Sequence, residues 1–168
     1  FRVRVGASIR SLSGQYFVSE VRPAPGRWDL RDGSDVAMVI LSSPASEEPL
    51  PLSFDNPSSL TGQTVTAIGY GETATGGSGT KYRTDTQVGR VDSLQRIFVD
   101  PSVCQGDSGG PVIGPEGSIW GVASFIFSPD GGRPQCGTAP GAYNGIARYQ
   151  DFIETAIEDS GTCVPGGE

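Results

Sequence analysis

Glycine and proline recur along the whole length of this sequence and limit what it can fold into. The 168 residues include 25 glycines and 13 prolines, spread between short runs rich in β-branched residues. Both residue types interrupt helices, whereas short strands joined by turns tolerate them. The sequence therefore predicts an all-β fold with many turns, and its length allows a domain-sized hydrophobic core.

The hydrophobic pattern locates individual strands and one helix. We predict strands at residues 1–5, 15–21, 36–41, 64–70, 86–91, 96–99, 112–113, 119–127 and 142–146. The run 36–41 is continuously apolar, which predicts a strand that is buried on both faces. An apolar stripe with helical spacing predicts a helix over residues 149–160. Its members are Tyr149, Phe152, Ile153, Ala156 and Ile157.

Charge and composition exclude several classes of protein. The net charge is −7 and the 12 basic residues are scattered, so the chain lacks the basic face that binds nucleic acid. There is no apolar run of membrane-spanning length. There is no histidine, and the three cysteines lie far apart, so no metal-binding cluster is expected. The glycines at 106–110 lead into Pro111 and a strand, unlike a phosphate-binding loop. We expect no cofactor, nucleic acid or membrane partner.

The segment Cys104-Gln-Gly-Asp-Ser-Gly-Gly-Pro-Val112 is the part of the chain best suited to chemistry. Gly106 and the glycine pair at 109–110 permit a tight backbone with unusual dihedral angles. Such a loop can turn consecutive N–H groups into one concavity, which is what an oxyanion needs, with Ser108 at its centre. Asp107 carries a charge that needs a partner if it is buried. The alternative is a glycine-rich turn in which the serine is incidental.

Six segments in a common order resemble the chymotrypsin/trypsin family of serine proteases. They are 35–41, 66–71, 106–111, 122–126, 140–143 and 148–153. The resemblance implies a double antiparallel β-barrel with the active site between the barrels, the first barrel being incomplete. Five regions follow from it. They are a remnant of the first barrel (1–45), a connector (46–60), the second barrel (61–148), a C-terminal helix (149–160) and a tail (161–168). The short stretch between Gly71 and Cys104 is more similar to bacterial members than to animal digestive enzymes.

The resemblance implies a role for each residue of the site. The Ser108 Oγ would attack the scissile carbonyl, and the N–H groups of Gly106 and Ser108 would form the oxyanion hole. Asp35 would be the buried acid that orients a histidine, with the Ser124 hydroxyl bonded to it. Asp107 would pair with a freed N-terminal ammonium, if this member is activated by cleavage. For Asp35 the alternative is a solvated residue that caps a strand.

Substrate binding is assigned through the same resemblance to Ser102, Ser124, Phe125, Ile126 and Gly141. Ser102 would form the floor of the specificity pocket. Because it is not an acid, we expect no preference for arginine or lysine. Gly141 would leave the pocket wall open, and Ile126 would narrow its mouth. These features together predict a small or medium apolar side chain at the cleavage site.

The cysteines indicate a compartment. Cys104 and Cys136 match the pair that the family bridges across the specificity pocket, the alternative being two buried thiols. A bridge implies an oxidising compartment, so the protein is expected to be extracellular or periplasmic. Cys163 is left over, and we expect it to bridge to a segment before or after this sequence.

The family's general base is a histidine, and this chain has none. In one interpretation the chain is truncated at its N-terminus, and the histidine lies upstream in a monomeric serine endopeptidase that cleaves polypeptides. In the other the histidine is truly absent, and the chain is an inert, protease-like protein-binding module. We favour the first. In both, the 168-residue chain should be almost inactive, because losing the base costs about a millionfold in kcat.

Overall fold

The structure is a computed structural model that describes residues 1–26 and 32–161. Strands dominate it: β1 Arg2–Ser8, β2 Ser11–Pro23, β3 Ala37–Leu41, β4 Thr64–Gly69, β5 Tyr82–Val91, β6 Arg96–Val99, β7 Pro111–Ile113, β8 Ile119–Ile126 and β9 Gly141–Gly145. The helical elements are two short 3₁₀ helices, Pro57–Leu60 and Ile146–Tyr149, and the α-helix α1, Gln150–Asp159. The prediction of a mostly β fold with a C-terminal helix is confirmed.

The strands form two separate sheets. Strands β4 to β9 close into a barrel in the order β4-β5-β6-β9-β8-β7, and every pairing in it is antiparallel. Strands β1, β2 and β3 form an open antiparallel sheet, in which β2 is the central strand. A closed barrel has no unpaired edge, whereas the open sheet has two.

The barrel encloses the main hydrophobic core. Its buried members are Leu60, Val65, Ala67, Val88, Ile97, Val99, Val103, Val112, Trp120, Ala123 and Tyr143. Strand β4 shows how the sequence produces this core, because Val65 and Ala67 point inward while Thr64 and Thr66 face outward. Burying a side chain such as Ile97, which is fully buried, stabilises the fold by about 1.5–3 kcal/mol.

Strand β3 of the open sheet is covered on one face. Met38 of β3 packs against a second apolar cluster that includes Ile146, Tyr149 and Ile153. On the other face the described residues leave Val21 47% and Val39 45% exposed. The prediction that residues 36–41 are buried on both faces is therefore wrong. A continuous apolar run indicates a buried strand only where a second layer covers it, and nothing in the described ranges covers this face.

Helix α1 packs on the second cluster through the predicted stripe, with Ile153 and Ala156 buried. The sequence missed the 3₁₀ helix Pro57–Leu60, which begins where the Asn56 side chain accepts a hydrogen bond from the Ser58 N–H. Residues 162–168, including Cys163, lie outside the described residues. Among the residues that the structure describes, every helix is too short or too polar to cross a bilayer.

Candidate active site

Ser108 is presented at the surface by a loop that is fastened to strand β8. The Gly109 N–H donates to the Ala123 carbonyl at 2.8 Å, and the Ala123 N–H donates back to Gly110 at 2.8 Å. These two bonds hold the backbone on the C-terminal side of Ser108 against the barrel wall. The serine itself remains exposed.

The loop needs glycine at the position that precedes Asp107. Gly106 has a φ of +92°, which side-chain-bearing residues rarely adopt. A Cβ at this position would also lie 3.0 Å from the Gly71 Cα, so the two backbones approach closely. Within the described ranges, the N–H groups of Gly106 and Ser108 donate to no protein acceptor. The predicted oxyanion donors are thus not engaged elsewhere in this part of the chain.

Asp107 folds back beneath the loop. Its Oδ1 accepts from the Gly71 N–H at 2.7 Å, and its Oδ2 accepts from the Cys104 N–H at 2.8 Å. Both carboxylate oxygens therefore have partners, although these are backbone amides and not the ammonium that the resemblance implied. Gly69 and Gly71 make room for the carboxylate, since a Cβ on either would lie 1.9 and 2.6 Å from its atoms.

Asp35 is held from the barrel side. The Ser124 hydroxyl of β8 donates to its Oδ2 at 2.6 Å, as the resemblance implied. The buried Asn144 side chain of β9 donates to its main-chain carbonyl at 3.0 Å. The residue is nevertheless exposed, so the expectation of a buried acid is wrong. The reason is the uncovered face of the open sheet beside it, on which Val21 and Val39 are also exposed.

The segment before Asp35 is anchored to the 3₁₀ helix Ile146–Tyr149, which follows the last barrel strand. The Arg148 guanidinium donates to the Asp32 carbonyl at 2.7 Å, and the Tyr149 hydroxyl donates to the Gly33 carbonyl. Ser34 closes the turn by donating its N–H and hydroxyl to Asp32 Oδ1. These contacts fix where β3 begins, and with it the position of Asp35.

Asp35 and Ser108 line the same groove, which has a volume of about 460 Å³. The rest of its wall is mostly apolar: Val21, Pro23, Val36, Ala37, Val39, Val122 and Ala123. The structure therefore brings together the predicted acid and the predicted nucleophile, which stand 73 positions apart in the sequence.

A smaller cavity of about 250 Å³ opens on the other side of Ser108. Ser124, Phe125 and Ile126, which were assigned to substrate binding, line it together with Val103. Two other assigned residues, Ser102 and Gly141, do not.

Val103 separates Gly141 from this cavity. A Cβ on buried Gly141 would meet the Val103 Cγ2 at 2.5 Å, so the valine packs directly on this glycine. Ser102 lines a separate cavity of about 320 Å³ beside Asp107. Sequence reasoning missed Val103, although it directly follows the assigned floor residue, because its direction depends on packing against a distant strand.

Two hydroxyl groups are buried behind the site. Those of Ser102 and Tyr143 have no hydrogen-bond partner among the described residues. Burial and, to a smaller extent, the charge of Asp107 raise the pKa of Tyr143 above its usual range. The nearby Ser102 hydroxyl lowers the pKa of Tyr143 slightly and so opposes this rise. The hydroxyls of Ser102 and Tyr143 nevertheless form no hydrogen bond with each other.

The predicted disulfide between Cys104 and Cys136 is confirmed, with the two Cα atoms 5.1 Å apart. It ties the start of the Ser108 loop, residues 104–110, to the segment between β8 and β9. Glu72 lies next to both sulfur atoms, and within the described ranges these three groups form a cluster with the spacing of metal ligands. Because the sulfur atoms are bonded to each other, they are not available as thiolate ligands.

Comparisons with known proteins identify similar chains. Serine protease ea of Drosophila melanogaster is 28% identical over 124 residues, which is 58% of this chain and 30% of that protein. Human kallikrein-8 is 40% identical over 58 residues, which is 34% of this chain and 20% of that protein. A mutant of human heparin binding protein has a similar structure, with a TM-score of 0.72 and 21% identity over 99% of this chain and 80% of that one. The matches thus span less than a third of the curated relatives' lengths.

A family model supports the same assignment over a much longer stretch. The model described as Trypsin matches residues 1–153, which include the open sheet, the barrel and the first turn of α1. Asp35, Ser108 and the disulfide all lie within this match. The chain belongs to the trypsin family.

Proposed function

We propose that this chain supplies the nucleophile, the oxyanion donors and the acid of a serine endopeptidase. The observation that carries the proposal is the shared groove, in which Asp35 is held by Ser124 on one wall and Ser108 is exposed on another. The general base would be a histidine that is not among these 168 residues. Membership of the trypsin family supports protease chemistry in general.

In this proposal the Ser108 Oγ attacks the carbonyl carbon of a peptide bond while the histidine removes its proton. The N–H groups of Gly106 and Ser108 stabilise the oxyanion, and one such donor contributes about a hundred- to a thousandfold in rate. Asp35 accepts a hydrogen bond from the other ring N–H of the histidine and stabilises the imidazolium cation that forms. The resulting acyl-enzyme on Ser108 is then hydrolysed by water, and no cofactor takes part.

The disulfide supports a setting outside the reducing cytosol. We therefore propose an extracellular or periplasmic protein that acts as a monomer on polypeptides. The similarity to bacterial members of the family, inferred from the length of the segment between Gly71 and Cys104, stays a prediction. The N-terminal truncation also stays a prediction.

The cavity beside Ser108 supports a preference for a small apolar residue on the acyl side of the cleaved bond. Val103 limits its depth by packing on Gly141, and Ile126 lines it as well. In an enzyme completed by its histidine, Val103→Gly should shift the preference towards larger side chains, whereas Ile9→Val, at an exposed position, should not. A peptide library measures both, and a preference of the parent enzyme for arginine would contradict this assignment.

A catalytically inert binding module is the competing function. It requires that the complete protein carry no histidine at this site. The structural neighbour named heparin binding protein shows that this fold also occurs in a protein named for binding. Heparin is a poor candidate for this chain, because a net charge of −7 repels a polyanion.

The deciding experiment is expression of the complete source reading frame that contains this chain, followed by assay of peptide-ester hydrolysis. We expect turnover that Ser108→Ala abolishes and Ser13→Ala, a change at an exposed position of β2, leaves intact. The 168-residue chain alone should not exceed its own Ser108→Ala variant. A folded, complete protein without Ser108-dependent turnover would favour the binding module.

A further inference from the structure

Three side chains that are distant in the sequence meet at the start of the Ser108 loop. The carboxylate of Glu72 and the sulfur atoms of Cys104 and Cys136 all lie within 4.8 Å of one another. We propose that reduction of the disulfide converts this cluster into a binding site for Zn²⁺. The inference goes beyond the proposed function and does not rest on it, because no step of it uses the reactivity of Ser108.

The three groups are of the kinds that bind zinc in proteins. Thiolate sulfur lies about 2.3 Å from zinc and carboxylate oxygen about 2.0–2.2 Å, usually in a tetrahedron. Two sulfur atoms that share a tetrahedral zinc ion are therefore about 3.8 Å apart. The Cα atoms of Cys104 and Cys136 are 5.1 Å apart, so rotation of the two side chains can reach this separation while the backbone stays in place.

The backbone around each group is held by bonds other than the disulfide. The Cys104 N–H donates to Asp107 Oδ2 at 2.8 Å, and the Glu72 N–H donates to the Gln105 carbonyl at 2.9 Å. Cys136 lies in a turn that the Ala139 N–H closes by donating to the Gln135 carbonyl, also at 2.9 Å. These bonds do not depend on the S–S bond, so the three groups should stay close together after its reduction.

Glu72 has a carboxylate that is open to a metal ion. Among the described residues it accepts no hydrogen bond, and no lysine or arginine forms an ion pair with it. Glu72 and Cys104 also line the cavity of about 320 Å³ beside Asp107. This space can hold a water molecule as the fourth ligand, which is the usual complement of three protein ligands.

Reduction of the disulfide precedes metal binding. Two molecules of a thiol reductant supply the two electrons and become a disulfide themselves, while each cysteine sulfur gains a proton. Cys136 is half-buried and its neighbours Gln135 and Gly137 are exposed, so a small reductant can reach it. The metal ion then displaces the two thiol protons and binds both thiolates and the Glu72 carboxylate. It crosslinks the segments that the disulfide joined, so the start of the Ser108 loop stays fastened in the reduced protein.

The first test titrates Cd²⁺, a spectroscopic substitute for Zn²⁺, into the full 168-residue chain. A phosphine reduces the disulfide, taking an oxygen atom from water to become the phosphine oxide, and is removed under argon before metal is added. All samples carry Cys163→Ala, so that Cys104 and Cys136 are the only thiols. We expect ultraviolet cadmium–thiolate absorption that rises to one ion per reduced chain and does not develop in the oxidised chain. A reduced chain without this absorption would overturn the proposal.

The second test isolates the part played by Glu72, with Zn²⁺ affinity measured by competition against a coloured chelator. Loss of a group behind a zinc ligand already costs about ten- to a hundredfold in affinity, so we expect Glu72→Gln to weaken binding at least about tenfold. Glu48→Gln removes the same charge from an exposed position outside the cluster and should leave the affinity unchanged. Equal affinities in the parent chain and in both variants would contradict the three-ligand site.

The third test asks whether the ion replaces the disulfide as a crosslink. A ligand that binds only the folded state stabilises it, so Zn²⁺ should raise the urea midpoint of the reduced chain. The variant Cys104→Ala, Cys136→Ala should show no such rise. If the reduced chain is unfolded without metal, Zn²⁺ should restore its far-ultraviolet circular dichroism. No rise in midpoint for a folded chain, or no refolding of an unfolded one, would overturn the inference and leave the proposed function standing.

Discussion

At the level of single residues, the carboxylate of Asp107 sets the shape of the Ser108 loop. It accepts two backbone N–H groups, one from Gly71 and one from Cys104, and its own carbonyl accepts from Gly110. A charged acceptor strengthens such bonds, and a buried carboxylate without them would be costly. The conformation of the loop around Ser108 therefore depends on the space that neighbouring glycines leave for this side chain.

We predict that Gly69→Ala destabilises the fold by about 2–3 kcal/mol. The new methyl group would overlap the Asp107 carboxylate, which the N–H groups of Gly71 and Cys104 hold in place. Its Cβ would lie 1.9 Å from Asp107 Oδ1. Gly89→Ala is the matched control, since the nearest atom to its Cβ is a carbonyl oxygen at 3.9 Å. Urea unfolding measures both variants. Equal stabilities for the two would show that Asp107 has room to move aside.

Tyr143 supports a prediction with a pH dependence. Its hydroxyl is buried without a partner among the described residues, so Tyr143→Phe should raise stability by about 1 kcal/mol at pH 7. Burial, reinforced by the charge of Asp107, raises the pKa of Tyr143 in the folded state. The unfolded chain therefore loses this proton first, and stability should fall as the pH rises above about 10. The phenylalanine variant should lack this part of the decline.

Urea unfolding at pH 7 and in the alkaline range tests both parts of this prediction. Tyr82→Phe, at a residue that is 58% exposed, controls for the loss of a tyrosine hydroxyl. A loss of stability in Tyr143→Phe at pH 7 would mean that water satisfies the hydroxyl in the folded protein.

Residues differ in how far the sequence reveals their roles. Ser108 and Asp35 could be singled out as candidates because a glycine-rich loop surrounds the first and an apolar run follows the second, and because both segments resemble the chymotrypsin/trypsin family. The exposure of Asp35 and the direction of Val103 could not. Both depend on what lies across space from them, an uncovered sheet face for Asp35 and Gly141 for Val103.

At the level of elements, a helix or strand could be predicted where its own residues show a hydrophobic period. Strand ends that depend on pairing with distant segments could not. The strand predicted over 96–99 and the strand β6 coincide, and α1 lies within one residue of the predicted bounds at each end. Strand β2, by contrast, has 13 residues, of which 15–21 were predicted. Its other six residues carry no alternating apolar pattern, since Ser11, Ser13 and Arg22 are polar. They are extended because β1 pairs with the first part of β2 and β3 with the last.

The disulfide between Cys104 and Cys136 closes a loop over a separation of 32 residues. We predict that the double variant Cys104→Ala, Cys136→Ala loses about 3 kcal/mol of stability, because the unfolded chain gains conformational freedom. Changing both residues avoids a leftover thiol that could pair with Cys163. Thermal and urea unfolding measure the loss, with the parent chain under reducing conditions as comparison. An unchanged stability would mean that packing alone holds these segments together.

At the level of the whole molecule, two sheets of unequal completeness meet beside the candidate active site. The barrel carries Ser108 and the main core, whereas Asp35 lies just before β3 of the open sheet. Hydrogen bonds from Ser124 and Asn144 join them across this boundary. The position of Asp35 relative to Ser108 consequently depends on how firmly the open sheet is held on the barrel.

This arrangement predicts that the two sheets differ in local stability. The closed barrel surrounds a buried core, whereas β1 is an edge strand and the sheet leaves Phe17 58% and Val21 47% exposed. Local opening of β1 and β2 therefore exposes little new apolar surface, and opening of the barrel exposes much. We expect paired amides of β1 and β2 to exchange hydrogen at least about a hundredfold faster than those of β6 and β9, a difference of about 2.7 kcal/mol.

Native-state hydrogen exchange, resolved by mass spectrometry or NMR, measures this difference directly. Repeating it at one tenth of the protein concentration controls for self-association through the exposed sheet face. Equal protection of the two sheets at both concentrations would contradict the prediction and would mean that they unfold as one unit. The expected result would instead mean that Asp35 moves with the less stable sheet.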